Sequence, residues 1–258
     1  MQGLMENNQA EYTVEFPQEV QQRMDQASDL HELIPESAVA DLEYVDISHR
    51  PYRVVKRLID LTLSGIGLLI LLIPFLIITA AIYADDHGKI FFSQYRVGRN
   101  GKRFKMYKFR TMRTDTPQYL PTMEMSNPDS HITKVGRFLR ATSLDELPQL
   151  LNVFRGDMSL VGPRPLISDE YEIHQMRMRF GVYNIRPGIT GLAQINGRDM
   201  VSPAEKVRWD VRYLQIFGLR TDLRILMGTM PRLSGDSTVV EGGCADREER
   251  SCADSVRK

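Results

Sequence analysis

The sequence predicts an α/β protein that is held at a membrane by one apolar helix. Three patterns support this fold class. Residues 58–84 form an apolar segment whose only charged residue is Asp60, and such a length is typical of a membrane-inserted helix. Residues 90–113 have the composition of two short strands around an Asn100-Gly101 turn, which is a strong hairpin signal. Several amphipathic helix patterns with capping residues follow in the second half of the chain.

Composition and charge divide the chain into four parts. The first 50 residues contain eleven acidic and two basic residues, whereas the rest of the chain has 31 basic and 22 acidic residues. A basic body favours anionic partners such as nucleic acid, nucleotide phosphates or anionic lipid. We expect an acidic, flexible extension over residues 1–50, a membrane-inserted re-entrant helix over 51–84, a compact cytoplasmic domain over 85–231 and a disordered polar tail over 232–258.

The cysteines and histidines argue against a metal-centred or disulfide-linked protein. Cys244 and Cys252 both lie in the polar tail, so neither a disulfide framework nor a cysteine metal site is expected, which fits a reducing cytosol. The five histidines are scattered without the spacing of metal ligands, and zinc is therefore not expected. The N-terminus lacks a basic start followed by an apolar core, so we expect no cleaved signal peptide.

The charges that flank the apolar segment predict its topology. Basic residues both precede and follow it, and each cluster favours the cytoplasmic side. A straight span would satisfy one cluster, whereas a helix that enters, bends and returns satisfies both, so we favour the re-entrant form. Pro74 cannot donate a backbone hydrogen bond, and a kink is expected near Ile73-Pro74. Asp60 is expected to pair with Lys56 or Arg57 one turn earlier, or to reach the interface.

The predicted hairpin carries a pair of basic residues near its end. Lys108 and Arg110 are two positions apart, so on a strand they would project from one face. Two interpretations are equally supported by this segment alone. The pair is either part of a basic edge that faces the membrane or a phosphate-binding pair.

Residues 144–155 predict a helix that begins with two adjacent carboxylates. Ser143 and Glu146 have the spacing of a capping box, and Gly156 marks the end of the helix. Acidic residues in a first turn usually complement the helix dipole, and this is one interpretation of Asp145. The other is chemical, because an ionised carboxylate can attack phosphorus or hold a divalent cation. If Glu146 mainly caps the helix, Asp145 is the candidate nucleophile.

Two arginines flank these carboxylates in the sequence. Arg140 precedes them, and Arg164 lies between Pro163 and Pro165, which restrict its backbone. A guanidinium held in this way loses less freedom on binding phosphate bidentately than a mobile lysine would. The glycine-rich stretch 186–199 allows close approach to a ligand, although such loops are weak evidence on their own.

Two further helices are predicted near the end of the domain. Ser202 and Glu205 form a second capping box. The helix that begins there carries Asp210, which by itself is expected to be solvated or paired with a neighbour such as Arg208. Residues 221–230 predict an amphipathic helix that lies on the bilayer or packs on the domain.

Five segments, taken together and in order, match the pattern of one family. They are KRLID at 56–60, YKFRTM at 107–112, SLDELPQLL at 143–151, GDMSLVGPRP at 156–165 and RPGITGLAQINGR at 186–198. The chain over about residues 51–231 resembles the monotopic polyprenyl-phosphate phosphoglycosyl transferases, the bacterial sugar transferases that begin membrane glycan assembly. One departure is Ile73 before Pro74, where relatives often carry a serine whose hydroxyl could satisfy a freed carbonyl.

The resemblance implies a reaction and roles for individual residues. A sugar-1-phosphate passes from a UDP-sugar to undecaprenyl phosphate, and UMP is released. By position, Asp145 resembles the nucleophile that forms a phosphosugar-aspartyl intermediate, Glu146 completes the acidic dyad, and Mg²⁺ is expected at Asp145. The resemblance assigns phosphate or substrate binding to Arg140, Arg164, Lys108, Arg198 and Asp210.

The resemblance also implies a place and leaves alternatives. The enzyme would act at the cytoplasmic face of the bacterial inner membrane, in exopolysaccharide, capsule or O-antigen-type assembly, with no nucleic-acid partner. General likeness to compact family members favours an N-acetylated or deoxyamino UDP-sugar, with galactose or glucose phosphate as alternatives. The competing functions are direct transfer, with Asp145 only a metal ligand, and a non-catalytic membrane-anchored module that binds nucleotide sugar.

Overall fold

The computed structural model of the protein describes Gln18 and residues 36–116, 128–196 and 202–233. Within these residues helices and short strands are mixed, so the α/β class predicted from the sequence is confirmed. Arg198, the first 35 residues apart from Gln18, and the tail beyond residue 233 lie outside the described residues. The roles expected of Arg198, the extension and the tail therefore stay predictions.

The apolar segment forms two helices that meet at Leu71. Helix α1 is Tyr52–Ile70 and helix α2 is Leu72–Asp85, and their axes differ by 59°. The break lies three residues before Pro74, close to the position at which the sequence predicts a kink. Among the described helices, no single one is long and apolar enough to cross a bilayer. Only this bent pair, taken as one unit, has that length and composition.

Helix α1 faces the rest of the protein with polar residues and the outside with apolar ones. Lys56, Asp60 and Ser64 are its buried residues, and their spacing of four places them on one face. The Nζ of Lys56 lies 2.5 Å from the Oδ2 of Asp222, and the Oδ1 of Asp60 accepts a hydrogen bond from the backbone of Leu160 at 3.0 Å. The charged groups of α1 therefore attach it to the body.

The predicted pairing of Asp60 with Lys56 or Arg57 is therefore wrong. Arg57 donates instead to the carbonyl oxygens of Val153, at 2.7 Å, and Phe154, at 3.0 Å. These carbonyls belong to the end of a helix, where backbone acceptors have no partner within the helix. The spacing of residues along α1 could not reveal that Lys56 and Arg57 bind acceptors elsewhere in the fold.

The hairpin has the form that the sequence predicts. Strand β1, Phe91–Val97, pairs antiparallel with strand β2, Arg103–Phe109, and Val97 stands opposite Arg103 next to the turn. Asn100 and Gly101 have φ values of 56° and 70°. A positive φ at both central residues is what a tight turn compatible with strand twist requires.

The remaining elements complete the domain. They are α3 Lys134–Ala141, α4 Gln149–Arg155, β3 Ser159–Val161, α5 Tyr171–Arg179, β4 Gly188–Thr190, α6 Leu192–Asn196, α7 Pro203–Gln215 and α8 Leu219–Leu233. Short 3₁₀ turns lie at Glu36–Ala38, Arg99–Gly101, Pro128–His131, Leu144–Glu146 and Val182–Asn184. The second capping box is confirmed, since the side chains of Ser202 and Glu205 each bond to the other's backbone.

The main hydrophobic core lies between α5, α7, α8 and the segment that precedes α1. Val207 and Val211 of α7 and Ile225 of α8 are fully enclosed there. Val39 and Ile47, which the sequence places in the acidic extension, are also enclosed, at 2% and 0% exposure. The packed body therefore begins before residue 50.

A short parallel pair joins two of the sequence motifs. Strands β3 and β4 pair Ser159 with Gly188 and Val161 with Thr190. A Cβ atom on Gly162 would lie 2.6 Å from the carbonyl oxygen of Arg186, which is too close for any other residue. Glycine thus allows the Val-Gly-Pro-Arg-Pro loop and the glycine-rich stretch to lie against each other.

Candidate active site

Asp145 and Glu146 lie on a 3₁₀ turn and not on the first turn of an α-helix. Ser143 has a left-handed backbone, with φ 55°, and its side chain makes no capping bond. The predicted capping box is therefore wrong, and helix α4 begins at Gln149. The reason is Pro148, which has no amide hydrogen to donate to Leu144, so the carbonyl of Leu144 accepts from Leu147 instead.

Lys108 brings the two carboxylates into one electrostatic group. Its Nζ donates to the Oε1 of Glu146 at 2.7 Å and lies 3.9 Å from the Oδ2 of Asp145. Asp145 is 8% exposed. A lysine on β2 therefore holds Glu146 directly, while Asp145 stands at longer range from the same ammonium.

The surroundings of Glu146 keep it ionised. Burial raises the pKa of this carboxyl, but the charges of Lys108, Arg164 and Arg96 and the hydrogen bond from Lys108 lower it more, so its pKa lies below the usual glutamate range. The carboxylate therefore persists at pH values where an ordinary surface glutamate begins to be protonated.

A small cleft that is open to solvent adjoins the carboxylate pair. Its charged and amide lining consists of Arg96, Lys108, Glu146, Gln149, Arg164 and Gln194. Met106, Pro165, Gly188 and Ile189 complete the wall. In this part of the described structure Asp145 does not line the cleft but adjoins it through Lys108. The combination of three cations, one carboxylate and two amides is suited to a phosphorylated ligand.

The loop that carries Arg164 is braced by helix α5. Arg177 donates to the carbonyl oxygen of Arg164 at 2.8 Å. His174 holds the carbonyl oxygen of Ile167 at 2.8 Å, so its Nε2 carries the hydrogen, and its Nδ1 accepts from the hydroxyl of Tyr183. Burial lowers the pKa of His174 to about 4, which keeps the ring neutral. Hydrogen bonds from Arg177 and His174 to backbone carbonyls of the loop thus hold the backbone of Arg164 in place.

Asp210 supports this brace and does not face the cleft. It is 2% exposed, and its Oδ2 lies 2.6 Å from the Nη2 and 2.9 Å from the Nε of Arg177. The predicted pairing of Asp210 with Arg208 is wrong, because Arg208 reaches Asp41 through two bonds of 2.7 and 2.8 Å. Asp210 is therefore linked to the backbone of Arg164 through Arg177, and its expected role in substrate binding stays a prediction.

Arg140 and Arg110, which were also predicted to bind phosphate or substrate, are not among the residues that line this cleft. Arg140, on α3, donates from Nε to the hydroxyl of Thr111 at 2.9 Å. Arg110 follows the end of β2 and points to Asp86, with 3.6 Å between its Nη2 and the Oδ2 of Asp86. Lys108 and Arg110 therefore have different partners, and the structure does not join them as one pair.

Sequence reasoning missed three polar residues of the cleft. Arg96 lies on β1, Gln149 begins α4 and Gln194 lies on α6. The glycine-rich stretch pointed to the neighbourhood of Gln194, but nothing local singled out that side chain. Arg96 was one of many basic residues near the hairpin, and only the fold separates it from the exposed ones.

A magnesium ion fits this site only with the help of a ligand. The described residues contain no group of three or more His, Cys, Asp or Glu side chains that could enclose a metal. Mg²⁺ commonly takes one or two protein carboxylates and completes its shell with water and substrate phosphates. Asp145, next to Glu146, provides that kind of donor.

Comparison with known proteins relates this chain to bacterial sugar transferases. A sequence model described as bacterial sugar transferase matches residues 51–235. The exopolysaccharide production protein ExoY of Sinorhizobium fredii is 41% identical over 190 residues, which cover 68% of this chain and 84% of that protein.

Two further relatives have names that state a reaction. A UDP-glucose:undecaprenyl-phosphate glucose-1-phosphate transferase of Caulobacter vibrioides is 42% identical over 188 residues, which cover 69% of each protein. An undecaprenyl-phosphate galactose phosphotransferase of Salmonella typhimurium is 39% identical over 198 residues, covering 71% of this chain and 41% of that protein. The family model covers most of the chain, and the cleft is lined by cations beside the carboxylate pair, so the protein belongs to the bacterial sugar transferase family and is an enzyme of the polyprenyl-phosphate sugar phosphotransferase type.

Proposed function

We propose that this enzyme transfers a sugar-1-phosphate from a UDP-sugar to undecaprenyl phosphate, and that UMP is the second product. The observation that carries the proposal is the group formed by Asp145, Glu146 and Lys108 beside a cleft that Arg164 also lines. Carboxylates next to fixed cations suit the attack on a diphosphate, whose negative charge must be neutralised as the bond breaks. The names of the relatives supply the substrate classes.

The first step is attack by Asp145 on the sugar-bearing phosphorus of the donor. A bond forms between a carboxylate oxygen of Asp145 and this phosphorus, and the bond to the bridging oxygen of the diphosphate breaks, so UMP leaves with the electron pair. Glu146 is held by Lys108 at 2.7 Å, whereas Asp145 is 3.9 Å from the same Nζ, which favours Asp145 as the attacking group.

The second step returns the carboxylate. A phosphate oxygen of undecaprenyl phosphate attacks the same phosphorus, the aspartyl–phosphorus bond breaks, and polyprenyl-diphospho-sugar is formed. Lys108 and Arg164 neutralise charge on the transferred group in both steps. A bound Mg²⁺ at Asp145 would supply additional neutralisation of the diphosphate.

A lipid acceptor requires the cleft to be near a membrane, and we propose that the α1–α2 pair is re-entrant. The bend at Leu71 and the basic residues on both sides of the pair support this topology. So do its outward apolar side chains, such as Leu69, Ile73 and Leu76, which are 76%, 68% and 63% exposed. The body would then lie at the cytoplasmic face of the bacterial inner membrane, in exopolysaccharide, capsule or O-antigen-type assembly.

The chemistry is tested by giving the purified enzyme UDP-sugars without the lipid acceptor. UDP-galactose and UDP-glucose head the panel because of the relatives' names, followed by N-acetylated and deoxyamino UDP-sugars. We expect UMP in an amount equal to the enzyme and a phosphosugar adduct on Asp145 in mass spectra of its peptides. Release of UMP only after undecaprenyl phosphate is added, with no adduct, would indicate direct transfer with Asp145 as a metal ligand.

The topology is tested with reporters fused to the two ends of the full chain. We expect an N-terminal and a C-terminal reporter to be on the cytoplasmic side together. Replacement of Pro74 by Ala restores the amide donor to Ile70 and should straighten the pair. Reporters on opposite sides in the unmodified protein would contradict the re-entrant form.

A further inference from the structure

Arg96 lies in the cleft although no motif identified it. It belongs to β1, where it stands opposite Phe104 of β2. Its side chain lines the cleft together with those of Lys108 and Arg164. The hairpin thus contributes a cation from each of its strands to the same cavity.

One hydrogen bond of Arg96 reaches the loop that carries Arg164. Its Nη2 donates to the Oε1 of Gln94 at 2.8 Å, which orients the guanidinium from within β1. Its Nη1 donates to the carbonyl oxygen of Pro165 at 3.4 Å, a long bond to the residue after Arg164. Its Nε is buried without a hydrogen-bond partner among the described residues. The guanidinium is therefore oriented while part of its donor capacity remains unused.

The charge of the cleft calls for an anion at this position. Arg96, Lys108 and Arg164 line the cleft with Glu146 as the one acidic residue of its lining, so the lining carries an excess of positive charge. Burial, followed by the charge of Arg164, lowers the pKa of Arg96 to about 10, although Glu170 and Glu146 oppose this. Arg164 thus acts on the charge of Arg96, and an anion bound in the cleft would relieve this repulsion.

We propose that Arg96 is a second guanidinium for the diphosphate of the donor and that it acts beside Arg164. The inference rests on the proposed function, since it names the contact by which the nucleotide-sugar donor is held. Two guanidinium groups on one wall can each bind a different phosphoryl group, and each contact is a charge-assisted hydrogen bond. Arg96 therefore selects nucleoside diphosphates over monophosphates, which would also favour release of UMP after the first step.

The test compares Arg96→Gln with Arg103→Gln in the full-length enzyme. Arg103 is an exposed arginine on β2 of the same hairpin, outside the cleft lining, so the control removes the same charge from the same element. Calorimetric titration with UDP and with UMP measures both affinities. We expect Arg96→Gln to weaken UDP binding by roughly 10- to 100-fold and UMP binding by several-fold less. Arg103→Gln should change both by less than about twofold.

A role in bracing the loop alone gives a different result. If Arg96 only supported the backbone at Pro165, Arg96→Gln would weaken UDP and UMP binding by the same factor, and an equal or absent effect overturns the inference. Arg96→Lys keeps the charge, and we expect it to fold and to retain an intermediate preference for UDP even where Arg96→Gln unfolds. If the unmodified enzyme binds neither UDP nor a UDP-sugar, the proposed function fails first, and that outcome is distinct.

Discussion

The cleft and the enclosed body use ion pairs for different purposes. In the cleft, Lys108 pairs with Glu146 where both side chains keep about a fifth of their surface exposed, at 22% and 24%. In the body, Arg177 and Asp210 pair at 2.6 Å with 4% and 2% exposure. The partly open pair can exchange its partner for a ligand, whereas the enclosed pair cannot without leaving a buried charge.

The two ion pairs also differ in the elements that they join. Lys108 and Glu146 come from a strand and a 3₁₀ turn, and both line the cleft. Arg177 and Asp210 join two helices, and they connect to the cleft through the bond from Arg177 to the carbonyl of Arg164. Substitutions in the cleft should therefore affect turnover, and substitutions in the enclosed pair should affect stability first.

The largest effect is expected for Asp145→Asn, which removes the proposed nucleophile and keeps the size of the side chain. We expect turnover to fall by roughly 10³-fold or more, while the free energy of unfolding changes by less than about 1 kcal/mol. Turnover is followed as UMP release and stability by denaturant unfolding. Asp169→Asn, at an exposed carboxylate outside the cleft lining, is the control and should be active. Full activity of Asp145→Asn would remove Asp145 from the mechanism.

The next effect is expected for Asp210→Asn, which leaves Arg177 buried without its counterion. We expect the free energy of unfolding to fall by about 3–5 kcal/mol, as measured by denaturant titration. The matched control is Asp41→Asn, which breaks the exposed ion pair with Arg208 on the same helix and should change stability little.

A double variant separates stability from positioning. Arg177→Met with Asp210→Leu removes both charges and should recover most of the lost stability. It still lacks the donor to the carbonyl of Arg164, so its turnover should stay low. Recovery of turnover together with stability would mean that the brace does not position Arg164.

The smallest effect is expected for Glu146→Gln and depends on pH. Because the folded-state pKa of Glu146 is lowered, its charge contributes stability above the usual glutamate pKa, and this contribution is lost as the pH falls through the folded-state value. The native protein should therefore exceed Glu146→Gln in stability by about 1 kcal/mol near pH 7. The difference should shrink only below the usual glutamate pKa. A difference that grows on acidification would contradict the lowered pKa.

Local patterns predicted the elements better than they predicted the partners of charged residues. The Asn100-Gly101 hairpin and the capping box of Ser202 and Glu205 are present as predicted, because both depend on residues a few positions apart. The capping box at Ser143 is absent, although its pattern was the same, because Pro148 removes a donor that a helix starting there needs. If Pro148 had been considered together with Ser143 and Glu146, the sequence would have predicted a helix that begins after Pro148.

Ion pairs over long sequence distances were beyond the same reasoning. Lys56 pairs with Asp222 and Arg177 with Asp210, and neither partner stands out by spacing. Arg96 was missed for a similar reason: it belongs to no motif that was identified, and yet it lines the cleft. The energy of such contacts depends on burial and distance, which arise only when the helices and strands are packed together.

The sequence alone determined the fold class, the apolar segment, the carboxylate pair and the family resemblance, because these depend on composition and on residues close together in the chain. Only the tertiary structure decided that the bend lies at Leu71, that Lys108 holds Glu146 and that Asp210 acts on Arg164 through Arg177. It also brought Arg96 into the cleft that Arg164 lines. Charged side chains select partners by proximity and by exclusion of water, and both are properties of the folded chain.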